Sequence, residues 1–236
     1  MDKSLSPSLH GLRGIGLFKG LSDDRLDAIA RSCVFRNFAA GAQIVSRSAQ
    51  DCDVYLLVSG KVRVTTYSAA GRQVTFRDCV PGEFFGEVAA IDGMPRSADV
   101  VALEGALLAC MRAADFRRLL RDEPVVAERV LQRLAGLVRR LSERVIDLST
   151  LGVHHRIHSE LLRLAREAGV ARNASRIDPA PKHAELASQV STTREQVTRE
   201  LSALAKAGLL ARDARALVVR DVDRLRRMVE EVQPGA

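Results

Sequence analysis

The hydrophobic period of this chain changes twice along its length, and those changes limit what it can fold into. From about Ser32 to Met111, apolar residues alternate or come in short runs: Ile44-Val45, Val54 to Val58, Val62 to Thr66, Val74 to Phe76 and Ala106 to Met111. Gly41, Ser59-Gly60, Ala70-Gly71 and Pro81-Gly82 separate them. Short runs punctuated by turn residues read as strands, and turns about every ten residues predict an antiparallel barrel or roll. Ahead of this region, Ser22 followed by Asp23 and Asp24 predicts an N-cap and an acidic first turn for a short helix ending near Ser32.

From Asp115 the period lengthens. Pro124 suits the first turn of a long helix, in which Val130, Leu131, Leu134, Leu137, Val138, Leu141, Val145 and Leu148 recur mainly at 3 and 4 residue steps. The stripe is wider than a coiled-coil seam, which predicts two buried contacts: the β domain on one side and the same helix of a second copy on the other. Packing within one chain alone is the competing reading. Gly152 breaks the pattern and predicts a hinge. Beyond it come an amphipathic helix (His155 to Ala168), a polar loop (Gly169 to Lys182) and a helix pair (His183 to Val190, Thr192 to Ala207). Two short strands over Leu209 to Val219 then make a β wing. The expected fold is α+β. A lead-in spans 1–20, an antiparallel, jelly-roll-like β-roll sensor domain 21–123, a dimerisation helix and hinge 124–152, and a winged helix-turn-helix 153–236.

Composition enters where partners are concerned. The 236 residues carry a formal net charge of +7, and 31 of the 36 basic residues are Arg, the side chain better suited to forked recognition of phosphates and bases. Codon bias toward Arg is the competing reading. The four cysteines are isolated, so neither a zinc site nor a disulfide framework is expected. No apolar run approaches the ~18 residues of a membrane span, and MDKSLSPSLHGLRG lacks a signal peptide's apolar stretch. The expectation is a soluble cytoplasmic protein without a membrane partner. With no nucleophile elbow, Walker loop or HExxH, it is not expected to be an enzyme.

The segment richest in chemistry is PGEFFGEVAAIDGMPRSADV, Pro81 to Val100. Gly82 and Gly86 permit tight backbone near a ligand, and the turn after Gly86 offers N–H groups to an anion. Arg96 can fork onto a phosphate, while Glu87 suits a sugar hydroxyl. This describes a phosphate-plus-ribose pocket. FGEVAAIDGMPRSADV resembles the phosphate-binding cassette of cyclic-nucleotide-binding domains. The resemblance implies that Phe85, Gly86, Val88 and the following amides line the pocket. It also implies that Glu87 takes the ribose 2′-hydroxyl, Arg96 pairs with the cyclic phosphate and Ser97 adds a hydroxyl. Late in the long helix, Leu141 and Ser142 fall where relatives reach the purine. In relatives that helix belongs to the partner subunit, and Leu141 stands in place of a hydroxyl residue, which weakens base-specific hydrogen bonding; Ser97 suits either purine, so the resemblance implies cyclic AMP first, with cyclic GMP or a cyclic dinucleotide as alternatives.

In HAELASQVSTTREQVTRELSALAKAGLL, Leu186, Ala187 and Val190 pack one helix face, and Val197, Leu201 and Leu204 the inner face of the next. Ser191 and Thr192 are expected to supply cap oxygens. Thr193, Arg194, Glu195, Thr198 and Arg199 remain for base edges and phosphates, against the bland reading of a salt-bridged helix face. STTREQVTREL resembles the recognition helix of the cyclic AMP receptor protein/FNR superfamily. The resemblance puts Arg194, Glu195 and Arg199 on base-reading positions, Thr192 and Thr193 on phosphate, and His183 where relatives have an arginine. It implies a bacterial homodimer with DNA and RNA polymerase as partners. Without N-terminal cysteines an iron-sulfur sensor is not expected. With His10 alone before the hinge neither is haem, and His154, His155 and His158 are expected to be polar hinge residues and not metal ligands. A nucleotide-binding regulator of a protein partner is the alternative from another class.

Overall fold

The computed structural model describes residues 11–68, 71 and 73–231. The first half of the lead-in, with His10, and Ala70 of the Ala70-Gly71 turn lie outside the described residues. The chain divides into two compact units, one ending at Val138 and the other starting at Arg139.

In the first unit, α1 (Asp23–Arg31) follows Ser22, which has the extended cap backbone but makes no side-chain cap bond. The strands are β1 (Cys33–Phe38), β2 (Gln43–Val45), β3 (Val54–Ser59), β4 (Val62–Tyr67), β5 (Gln73–Cys79), β6 (Phe84–Phe85), β7 (Asp99–Ala102) and β8 (Ala106–Met111), with the short α2 (Glu87–Asp92) between β6 and β7. They form two antiparallel sheets, β1-β8-β3-β6 and β2-β7-β4-β5. The sequence CVFRNF of β1 has little alternation of its own. It is a strand because it pairs with β8 from Cys33↔Met111 to Phe38↔Ala106.

The apolar run of β3 is explained by two cores. Tyr55 and Leu57 join Val62, Val100 and Leu108 between the sheets. Val54 and Leu56 point the other way, into a core with Phe18, Phe116, Val126 and Val130. Successive strand residues face opposite sides, so both faces of β3 are covered from Val54 to Leu57, where all four residues are buried. Each such buried side chain contributes roughly 1.5–3 kcal/mol.

After α3 (Ala113–Asp122), α4 (Pro124–Thr150) runs without interruption across the boundary between the units. Its wide stripe separates into two. Val126 and Val130 are buried in the first unit, where Arg129 also donates to Leu17 O at 2.9 Å. The exposed members Leu131, Val138, Leu141, Val145 and Leu148, with Leu134 half-buried among them, step by 3 and 4 in strict alternation. That is the spacing a coiled-coil seam uses, and Leu134, packed against the core of the first unit, belongs to both sets.

The second unit holds α5 (Val153–Ala168), β9 (Val170–Ala171), β10 (Ala174–Ile177), α6 (His183–Gln189), α7 (Arg194–Lys206), β11 (Leu210–Asp213), β12 (Ala216–Val219) and α8 (Val222–Glu230). The expected polar loop after α5 thus contains a hairpin. It turns through Arg172 and Asn173, at φ 50° and 59°, where a glycine would be the usual signal. β10 extends the wing into a sheet of order β11-β12-β10-β9, and Asn173 O receives the N–H of Val222 at 2.9 Å, docking α8. Gly152, expected as the hinge, caps α5 at φ −61°, a conformation open to any residue.

Candidate ligand pocket and nucleic-acid interface

The cassette lies in the first unit. Gly86 is the N-cap of α2 at φ 88°, in the left-handed region. A Cβ there would sit 2.6 Å from Asp53 O and 2.8 Å from Arg96 Nη1, so glycine is required twice over. Gly82, at φ 94°, is required instead by the lead-in, because a Cβ would meet Gly14 O at 2.8 Å. Phe85 is buried, Val88 half-buried and Ser97 exposed.

Glu87 and Arg96 are each only 4% exposed. Among the described residues none donates to the Glu87 carboxylate. Arg96 donates from Nη1 to Gly86 O at 3.3 Å and from Nη2 to Asp51 Oδ2 at 2.7 Å, while its buried Nε has no partner. Its Cζ stands 5.6 Å over the Tyr55 ring, which stacks on Phe85 at 5.2 Å and donates its hydroxyl to Asp51 Oδ2 at 3.1 Å. Burial alone would raise the Asp51 carboxyl, but the Arg96 hydrogen bond and charge, with the Tyr55 hydroxyl, hold it below the usual carboxylate range. Burial and Asp51 push the Tyr55 phenol up. Asp51 and Tyr55 carry no motif, and the sequence reading did not find them.

The helix-turn-helix lies in the second unit. The turn passes through Ser191 at φ 54°, and Thr193 is the N-cap of α7, accepting from Gln196 N at 3.3 Å. Ser191 and Thr192 therefore do not cap the helix. Ser191 Oγ accepts from Arg144, and Thr192 is buried with its hydroxyl on Gln196 Oε1, so a phosphate contact by Thr192 does not fit its position. Val197, Leu201 and Leu204 are buried, which turns Arg194, Glu195, Thr198 and Arg199 outward. Glu195 stays below the usual carboxylate range because its own backbone N–H and the Thr193 side chain bond to it, with Arg194 and Arg199 nearby. His183 is half-buried, with Nδ1 2.7 Å from Thr198 Oγ1. That hydroxyl donates to Arg194 O, so the imidazole must be the donor. Leu141 and Ser142 are exposed on α4, in this unit and not in that of the cassette.

Both segments lie within domains of known families. Residues 35–123 match the model of the cyclic nucleotide-binding domain, and residues 155–228 that of the Crp-like helix-turn-helix domain. The cyclic AMP receptor protein of Thermus thermophilus is 31% identical over 229 residues, 95% of this chain and 99% of that one. The chain belongs to the CRP/FNR family of transcription regulators. A second CRP/FNR relative, the CRP-like cAMP-activated global transcriptional regulator of Mycobacterium tuberculosis, is 25% identical over 90% of this chain and 95% of its own. The solved c-di-GMP responsive global regulator CLP of Xanthomonas campestris superposes with a TM-score of 0.72 at 20% identity, over 84% of this chain and 99% of that one, a likeness of fold alone. The CRP/FNR architecture of roll, long helix and winged helix-turn-helix is the α+β fold expected from the sequence, and the family is one of regulators and not of enzymes.

Outside these sites, burial pushes the thiols of Cys33 and Cys79 up to about 12 and that of Cys110 to about 11. His154, His155 and His158 have ring centroids 4.1 to 6.3 Å apart, and His158 Nε2 meets Glu200 Oε1 of α7 at 2.6 Å. Among the described residues no cluster of His, Cys, Asp or Glu could hold a metal ion. No described helix is long and apolar enough to cross a membrane.

Proposed function

We propose that the chain is a cyclic-nucleotide-responsive transcription regulator that binds DNA as a homodimer in the cytoplasm, with cyclic AMP as its first effector. The observation that carries the reading is a buried carboxylate, Glu87, and a buried guanidinium, Arg96, in one cassette of a β-roll. The first-turn amides after Gly86, with Arg96 and Ser97, hold the cyclic phosphate, and Glu87 accepts from the ribose 2′-hydroxyl. Phe85 and Val88 wall the site. In the homodimer, Leu141 and Ser142 of the second copy approach the purine, where Leu141 can contribute contact area but no hydrogen bond. The names of the Thermus and Mycobacterium relatives favour cyclic AMP over cyclic GMP or a cyclic dinucleotide.

On the DNA side, Arg194 and Arg199 fork onto guanine and Glu195 accepts from cytosine, with Thr193, Thr198 and His183 toward phosphate. The seam along α4 pairs two copies, and bound nucleotide biases how they pair. RNA polymerase is the further partner. Calorimetry with cyclic AMP, cyclic GMP and cyclic di-GMP tests the effector: cyclic AMP is expected to bind, and Arg96→Ala to abolish binding. If none binds, or Arg96→Ala changes nothing, the effector is wrong. Steeply salt-dependent DNA binding is expected from the full protein. If DNA is not bound at any ligand concentration, the reading shifts to a nucleotide-dependent regulator of a protein partner.

A further inference from the structure

The partner that holds the cassette arginine comes from outside the cassette. Asp51, 45 positions before Arg96 and just ahead of β3, accepts from Arg96 Nη2 and from the Tyr55 hydroxyl through the same oxygen, Oδ2. The Tyr55 ring below and Gly86 O at one edge fix the guanidinium further. Asp51 supplies one carboxylate oxygen only, end-on, and the buried Nε is still without a partner. Arg96 is therefore both oriented and electrically balanced by the protein before any phosphate is considered.

That balance has a consequence for which anions the pocket accepts. A lone buried guanidinium attracts a doubly charged phosphate more than a singly charged one, because the attraction scales with the product of the charges. Beside Asp51 the net charge at this point is zero, and Glu87, 4% exposed, adds a further carboxylate from within the cassette. The advantage of the extra charge is then cancelled, and an incoming dianion meets more repulsion than a monoanion. We propose that Asp51 is a specificity-determining residue, a charge filter that favours singly charged cyclic phosphodiesters over doubly charged open phosphate monoesters with the same base and sugar. The inference rests on the pocket being a nucleotide site. The Asp51 side chain is 41% exposed, so water screens the effect.

Asp51→Asn removes the charge and keeps an oxygen for Arg96 and Tyr55. By calorimetry, with 5′-AMP followed by competition, the variant should bind cyclic AMP on the order of tenfold tighter than the wild type. It should bind 5′-AMP tighter by a larger factor, so that discrimination between the two narrows. Tyr55→Phe, which removes a neutral hydrogen bond and leaves the Asp51 charge beside Arg96, should keep the wild-type discrimination, and so separates a charge effect from a packing defect in Asp51→Asn. Unchanged or wider discrimination in Asp51→Asn, or weaker cyclic AMP binding in a variant that melts like the wild type, overturns the proposal. If no protein binds any cyclic nucleotide, the pocket reading falls and inorganic phosphate decides Asp51 alone. A phosphate-dependent rise in melting temperature that is larger in Asp51→Asn keeps the filter, and equal rises remove it.

Discussion

At the scale of single residues, the first unit depends on side chains whose charge or size leaves no alternative. Gly86→Ala places a Cβ 2.6 Å from Asp53 O at a backbone angle of φ 88°. The expected outcome is a loss of roughly 1–3 kcal/mol in the stability of the first unit, together with loss of nucleotide binding, read by thermal melts and calorimetry. Asp78 gives the pH dependence. Arg63 binds it through Nε at 2.7 Å and Nη2 at 3.0 Å, with Lys61 Nζ at 3.3 Å. Burial would raise the Asp78 carboxyl, but these cations outweigh it and hold it below the ordinary 3.8. A carboxyl lowered in the folded state binds fewer protons there than in the unfolded chain. Its contribution is therefore complete above about pH 4 and disappears as the pH falls through the lowered value. Asp78→Asn should cost about 2 kcal/mol at pH 7, and its melting curve should converge with that of the wild type in acid. Cassette residues are legible at this scale because their chemistry is local. Asp51 is not, since one aspartate among several acquires its role only by meeting Arg96 across the fold.

At the scale of elements, apolar period reveals which segments are helix and strand but not how many faces each one buries. The α4 stripe looked too wide for a coiled coil because two sets of residues share one helix. Val126, Val130 and the half-buried Leu134 serve the core of the first unit, and Leu131, Val138, Leu141, Val145 and Leu148 remain exposed. Val138 and Val145, 62% and 63% exposed, add no packing to the single chain. Val138→Glu with Val145→Glu should accordingly leave both units folded and convert a dimer to a monomer, as light scattering after size exclusion would show. An unchanged oligomeric state would place the dimer contact elsewhere. In the winged unit, the β9–β10 hairpin was illegible because its turn uses Arg172 and Asn173 where a glycine would have marked it. The helix-turn-helix was legible because an inner face of Val197, Leu201 and Leu204 leaves its outer residues by elimination.

At the scale of the whole molecule, two recognition helices related by a two-fold axis should read half-sites about one helical turn (~34 Å) apart. Inserting about half a turn between the half-sites should weaken binding by more than tenfold, measured by fluorescence anisotropy at fixed salt, since only one helix could then engage its groove. Insensitivity to that spacing would mean that each unit binds alone.

The sequence by itself determined the order of parts: a β-roll, one long helix and a winged helix-turn-helix, with Glu87 and Arg96 in the first and Arg194, Glu195 and Arg199 in the last. These are written in local period, turn chemistry and spacing, which act between near neighbours along the chain. Only the tertiary structure decided that Arg96 is held by Asp51, that Thr192 faces inward while Thr193 caps the recognition helix, that Gly82 serves packing, and that α4 divides its stripe between a core and an open seam. Each of those outcomes depends on which groups burial brings within hydrogen-bond or van der Waals reach across tens of residues, and no local pattern records that.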